Sequence, residues 1–83
     1  MLLTITITYC TACHYTPYAV SLAAELLEDL EPEIDHISLT PSEGGRFEVM
    51  VNGKLLYSKI ATGRHANPGE VKSLVKKYNQ EKH

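Results

Sequence analysis

Leu3-Thr4-Ile5-Thr6-Ile7-Thr8-Tyr9-Cys10-Thr11-Ala12-Cys13-His14 is the stretch from which the fold of this chain is read. Over residues 2 to 8, Leu3, Ile5 and Ile7 alternate with three threonines, the period-2 pattern of a strand rich in β-branched residues. The strand runs directly into Cys10 and Cys13, the only two cysteines among 83 residues. A disulfide between them would close so short a loop that it contributes only about 2 kcal/mol through chain entropy. Such a bond is a poor staple, and the pair reads instead as a candidate redox switch.

Beyond the pair, Ala19, Leu22, Ala23, Leu26, Leu27 and Leu30 recur at helical spacing while Glu25, Glu28 and Asp29 take other faces. Two starts are open for this helix: Thr16 as N-cap with Pro17 at the first helical position, or a first turn beginning at Cys13 or His14. Both tolerate the proline, because first-turn amides have no intrahelical acceptor to lose. Pro32 ends the helix, and Ile34, Ile37 and Leu39 suit a second strand. Strand, helix and strand make a βαβ unit, with parallel strands and a right-handed crossover.

Residues 41 to 45, Pro-Ser-Glu-Gly-Gly, read as a loop. Phe47, Val49 and Val51 then alternate with Arg46, Glu48 and Met50, and Asn52-Gly53 supplies the two positive-φ positions of a type I′ turn. Lys54 to Lys59 return as the second arm of an antiparallel hairpin. After a loop over residues 61 to 67, Asn67-Pro68-Gly69-Glu70 offers an N-cap, a proline at the first helical position and an acidic residue at the third. Val71, Leu74, Val75 and Tyr78 form the apolar face of a second long helix, with fraying expected from Gln80 to His83. The order β-α-β-β-β-α, with two helices to cover, implies one α/β (α+β) domain over residues 1–83 with a mixed four-stranded sheet.

Composition narrows the function. A formal charge of −2 and a pI near 6.0 give no basic footprint for phosphates, so nucleic acid is not an expected partner. Met1-Leu2-Leu3 lacks a charged leader, and threonines interrupt the apolar residues that follow, so neither a signal peptide nor a membrane span is expected. The expected location is cytoplasmic. In that reducing compartment a close cysteine pair points to catalysis, redox sensing or metal binding rather than to structural bracing.

A thiol becomes reactive near neutral pH when its thiolate is stabilised, and a strand-to-helix junction offers unpaired amides and the positive end of the helix dipole. The two-residue spacer lets one sulfur resolve a mixed disulfide formed on the other. Three other readings compete. Haem attachment matches Cys10-Thr11-Ala12-Cys13-His14 in pattern, but it calls for export and a helical context. Zinc would need His14, His36 or His65 to complete a half-site, with a site shared between two chains as its best form. Inert burial of both thiols is the third. No metal or other cofactor is expected.

Taken together, Tyr9-Cys10-Thr11-Ala12-Cys13, the leucine-rich helix, Gly44-Gly45-Arg46-Phe47-Glu48-Val49, Asn52-Gly53-Lys54, Tyr57-Ser58-Lys59, Gly63-Arg64 and Pro68-Gly69-Glu70-Val71 resemble the selenoprotein W-like group, or Rdx family, of the thioredoxin-like fold. The resemblance covers nearly the whole chain. It implies a small intracellular redox protein, acting in cell redox homeostasis on thiol or disulfide substrates with Cys10 and Cys13 as catalytic residues, and working with glutathione or thioredoxin systems. A thiol-disulfide oxidoreductase is the enzymatic form of that reading; the alternative is an interaction module whose binding to a protein partner follows the redox state of the pair. Selenium-containing relatives carry selenocysteine at the position matching Cys13, which makes Cys13 the attacking group. Thioredoxin analogy instead makes Cys10 attack and Cys13 resolve, and the expectation that the N-terminal thiol is more exposed and more acidic tips the balance to Cys10. Gly44-Gly45 is expected where thioredoxins place a cis-proline, leaving backbone access beside the sulfurs.

Other residues have plainer readings. His14 is expected as a solvated first-turn residue rather than a proton shuttle, Tyr9 and Phe47 as packing groups, and the acidic residues from Glu25 to Glu33 as a solvated face. Gly63-Arg64-His65 is expected as a connector rather than an anion site.

Overall fold

The computed structural model describes residues 2–81, and its sheet is organised around the opening strand. Strand β1 (Leu3–Cys10) pairs in parallel with β2 (Ile34–Ser42) on one side and antiparallel with β3 (Phe47–Val51) on the other. Strand β4 (Lys54–Ser58) closes the order β2-β1-β3-β4. The expected mixed four-stranded sheet is therefore present, with β1 inside it.

The alternation in β1 does what period 2 requires. Leu3, Ile5 and Ile7 are fully buried, as are Val49 and Val51 beside them in β3, while Thr4, Thr6 and Thr8 lie half-buried on the opposite face. Helix α1 (Thr16–Leu30) contributes Ala19, Leu26 and Leu30 to the same core, and α3 (Glu70–Glu81) contributes Val71, Val75 and Tyr78. Both long helices thus cover one face of the sheet. Each fully buried aliphatic side chain there is worth about 1.5–3 kcal/mol relative to exposure. Asp29 of α1 accepts from Lys72 at 3.1 Å and Lys76 at 3.2 Å, so this member of the expected solvated acidic face ties the two helices together. No helix among the described residues is long and apolar enough to cross a membrane.

Several boundaries differ from expectation for local reasons. Neither expected start of α1 is correct: Tyr15 is its N-cap, Thr16 its first residue and Pro17 its second, and the earlier start at Cys13 or His14 fails because His14 takes φ 61°, a left-handed conformation that cannot lie inside a right-handed helix. A short 3-10 turn, Glu31–Glu33, carries Pro32 out of α1. Strand β2 includes Pro41 and Ser42, which the composition had assigned to a loop; as a sheet edge it tolerates a residue without an N–H. The return arm of the hairpin stops at Ser58, and a helix not anticipated, α2 (Lys59–Thr62), follows. The Ser58 Oγ caps it by accepting from the Ala61 N–H at 3.2 Å, and Gly63, at φ 76°, ends it. Helix α3 begins at Glu70 rather than just after Asn67, since Gly69 at φ 78° interrupts the turn, yet the Glu70 carboxylate does reach back to the Asn67 N–H at 2.9 Å. Fraying from Gln80 is not seen, because α3 continues to Glu81; the last two positions of that expectation lie outside the described residues.

Candidate functional site

Strand β1 delivers Cys10 to the end of the sheet, between its two neighbouring strands. The Cys10 N–H donates to the Arg46 carbonyl at 2.8 Å and the Thr11 N–H donates to the Ser42 carbonyl at 3.1 Å, so the chain on either side of Gly44-Gly45 clasps the start of the cysteine turn. The turn closes on itself through His14 N–H to Thr11 O at 3.0 Å and Tyr15 N–H to Cys10 O at 3.2 Å. These bonds fix the backbone that separates the two sulfurs.

The two thiols are free and occupy opposite environments. Cys10 is buried, with 1% of its surface exposed, whereas Cys13 is exposed. The expectation that the N-terminal thiol would be the more accessible is therefore reversed. By strand alternation Cys10 should share the open face with Thr8, but it is buried, and the Gly45 amide of the loop from Ser42 to Arg46 lies against its sulfur.

Their acidities diverge as well. The Cys13 side chain hydrogen-bonds to Cys10 and holds the Cys10 thiol below its ordinary value, helped by the backbone amides of Gly45, Cys13 and Ala12. The same contact pushes Cys13 up, since its proton is the one retained between the sulfurs. The expectation of a more acidic N-terminal thiol thus agrees with the geometry although its exposure does not. Thiolate stabilisation comes from the cysteine turn and from Gly45, not from the first turn of α1, which begins three residues beyond Cys13. Gly44 and Gly45 both lie at positive φ, 77° and 76°, which turns the Gly45 amide toward both sulfurs.

An aromatic cluster flanks the turn. Tyr15 packs edge-on against His65 with ring centroids 4.7 Å apart, and the exposed Tyr18 stacks on the same imidazole at 4.5 Å. Phe47, buried as expected, meets His65 edge-on at 6.2 Å. Burial is the first cause, and the Lys59 charge the second, that hold the His65 imidazole below its ordinary value. Tyr18, His65 and Phe47 also help line a groove of about 250 Å³ whose remaining walls include Leu22, Glu25 and Val71. Sequence reading missed this cluster; Tyr15 and Tyr18 are only three residues apart at the start of α1, but their partner His65 lies fifty residues beyond Tyr15 in the chain.

The remaining candidates are not drawn into the site. His14 is exposed and precedes the helix instead of lying in its first turn. Arg64 is engaged by the Glu70 carboxylate at 2.7 and 2.9 Å, so Gly63-Arg64-His65 serves as a braced connector and its guanidinium is already partnered. His36 lies beside Asp35 at 3.2 Å on the edge strand. Among the described residues no three His, Cys, Asp or Glu side chains cluster as metal ligands.

No curated protein sequence matches the chain. Among solved structures, a selenoprotein W-related protein from Vibrio cholerae is similar at a TM-score of 0.89 and 29% identity, over 94% of this chain and 98% of that one. A Bordetella parapertussis protein is similar at 0.88 and 28% identity, over 94% and 99% of the respective chains. The fold is thus the thioredoxin-like α+β arrangement of selenoprotein W-related proteins. With the sequence model of the Rdx family matching residues 4–77, the chain belongs to the Rdx family, the selenoprotein W-like group.

Proposed function

We propose that this protein exchanges thiols and disulfides through Cys13 and Cys10, with Cys13 making the attack and Cys10 resolving. Membership of the Rdx family supports a redox role. The observation that carries the finer reading is the unequal pair: an exposed sulfur hydrogen-bonded to a buried one that is stabilised as thiolate. Only Cys13 can meet an incoming disulfide, and Cys10 in its thiolate form is the group best placed to take the Cys13 proton.

The chemistry then balances without a further reagent. Cys10 thiolate accepts the Cys13 proton; the Cys13 thiolate attacks one sulfur of a substrate disulfide, forming a mixed disulfide and expelling the other sulfur as thiolate. That leaving group takes the proton back from Cys10, directly or through water. Cys10 next attacks the Cys13 sulfur, releasing the second substrate thiolate and leaving a Cys10–Cys13 disulfide. Substrate has gained two electrons and the protein has lost two. Stabilising the Cys10 thiolate favours the reduced protein, which raises the reduction potential of the pair.

The deciding experiment is trapping with single variants. Cys10→Ser should accumulate a stable mixed disulfide on Cys13, and Cys13→Ser should capture nothing. Capture by Cys13→Ser with none by Cys10→Ser would invert the roles. A wild-type pair that cannot be cycled between dithiol and disulfide would refute exchange altogether.

A further inference from the structure

Lys59 is the first residue of α2, half-buried at its base, and its Nζ sits 5.7 Å from the centroid of the Tyr15 ring. Tyr15 is the residue whose N–H closes the cysteine turn onto the Cys10 carbonyl, and its ring packs on His65. The ammonium is therefore held over the aromatic wall beside the cysteine turn. It forms no ion pair with a carboxylate among the described residues, in contrast to Arg64, Lys72 and Lys76, each of which has one. The backbone around it is fixed independently of the side chain: Ser58 caps α2 from one end, and the Gly63 N–H donates to the Lys59 carbonyl at 2.7 Å from the other. A cation without a counter-ion, seated on a ring next to an exposed thiol, is positioned to meet a negative charge that arrives with the substrate.

The geometry points to Lys59 as a specificity-determining residue that selects disulfides carrying a carboxylate close to the sulfur. This inference rests on exchange at Cys13 and names the substrate class for it. Two charges favour the lysine during the reaction. The substrate carboxylate gains a partner on binding, and the negative charge shared among the three sulfurs during displacement lies in the same field. The charge of Lys59 also reaches the Cys13 sulfur, where it opposes the upward push from Cys10. The Tyr15 ring gives the ammonium a face to rest on beside the cysteine turn.

The test uses the full chain in its reduced form and three thiopyridyl-activated cysteine peptides that differ only in the residue beside the cysteine: Asp, Ser or Lys. Attack on the peptide sulfur forms the Cys13 mixed disulfide and releases thiopyridone, which is read by absorbance. The activated form of 3-mercaptopropionate, a small carboxylate, separates recognition of the charge from recognition of peptide. Wild-type protein should react in the order Asp, Ser, Lys, with roughly two- to fivefold between successive peptides at low salt, the range expected of a solvent-accessible charge pair. Lys59→Gln should level the three rates, and Lys59→Arg should keep their order. The activated form of 3-mercaptopropionate should likewise react faster than that of the neutral 2-mercaptoethanol, with the difference abolished by Lys59→Gln; equal wild-type rates on these two small disulfides would overturn the assignment. Equal wild-type rates on all three peptides, or a Lys59→Gln variant slowed equally on all of them, would overturn the assignment. Release by wild type no faster than by Cys13→Ser would instead remove the exchange reading beneath it.

Discussion

Two connections in this molecule use the same backbone device for different ends. The hairpin turn Asn52-Gly53 and the loop pair Gly44-Gly45 each place two consecutive residues at positive φ, 50° and 85° in the first, 77° and 76° in the second. At the hairpin the reversal is local, and the Asn52 side chain pins it by accepting from the Thr4 N–H at 2.8 Å. At the glycine pair the chain steps from the edge strand β2 across β1 to β3, and the reversal carries an amide over the sulfurs. One turn serves the sheet alone; the other also sets thiol chemistry.

That contrast can be broken experimentally. In both places an added Cβ would meet nothing within 4 Å, so substitution is felt through backbone conformation. Gly45→Ala and Gly53→Ala should each lose about 1–2 kcal/mol in urea unfolding, the cost of a left-handed alanine. Only Gly45→Ala should also raise the pH at which Cys10 ionises, followed by thiolate absorbance. An equal thiol titration in the two variants would show that Gly45 does not stabilise the sulfur. Asn52→Ala should cost about 1 kcal/mol through the lost bond to Thr4 and leave the thiols untouched.

The cysteine turn supplies a smaller test in the opposite direction. His14 adopts φ 61° without being a glycine. His14→Gly should therefore stabilise the fold by up to about 1 kcal/mol, the relief of strain less the extra chain entropy of glycine. A destabilised His14→Gly protein would mean that the imidazole makes a contact that matters.

The connection from Gly63 to Gly69 is braced by charge instead, and its signature is pH dependence. The Arg64 guanidinium, with the Asn67 N–H, holds the Glu70 carboxyl down at about 2, against 4.5 ordinarily. A depressed carboxyl contributes stability that is fully present above its unfolded value and lost as pH falls through its folded one. Glu70→Gln should thus be less stable than wild type at neutral pH, and the gap should close between pH 4.5 and about 2. A gap that persists at the acid end would assign the effect to packing.

Periodicity made most of the fold legible. Leu3, Ile5 and Ile7 announced the central strand, Leu26 and Leu30 the covering helix, and Asn52-Gly53 the hairpin, because each signal lies within a few residues of what it specifies. Helix α2 escaped because four residues cannot display a helical period, although its Ser58 cap and Gly63 stop were both in view. The cysteine pair itself was readable, but the exposure of its members was not. Alternation along β1 assigns Cys10 to the open face, and the loop whose amide lies against its sulfur is more than thirty residues away. Lys59 and His65 were equally hidden, for their contacts with Tyr15 beside the cysteine turn exist only once β3, β4 and α2 have assembled around β1.

The place of β1 in the sheet also bears on how the chain reaches its native state. It carries the thiols near the start of the sequence, yet Ile5 waits for Val51 as its antiparallel partner, and the loop whose Gly45 amide lies against the Cys10 sulfur ends at Arg46. Long-range pairing of this kind comes late, after the loop-closure cost has been met. Cys10 should consequently stay open to alkylation until the β1–β3 ladder closes. In refolding Cys13→Ser protein, where Cys10 is the sole thiol, its protection from a thiol reagent should therefore rise together with completion of the sheet.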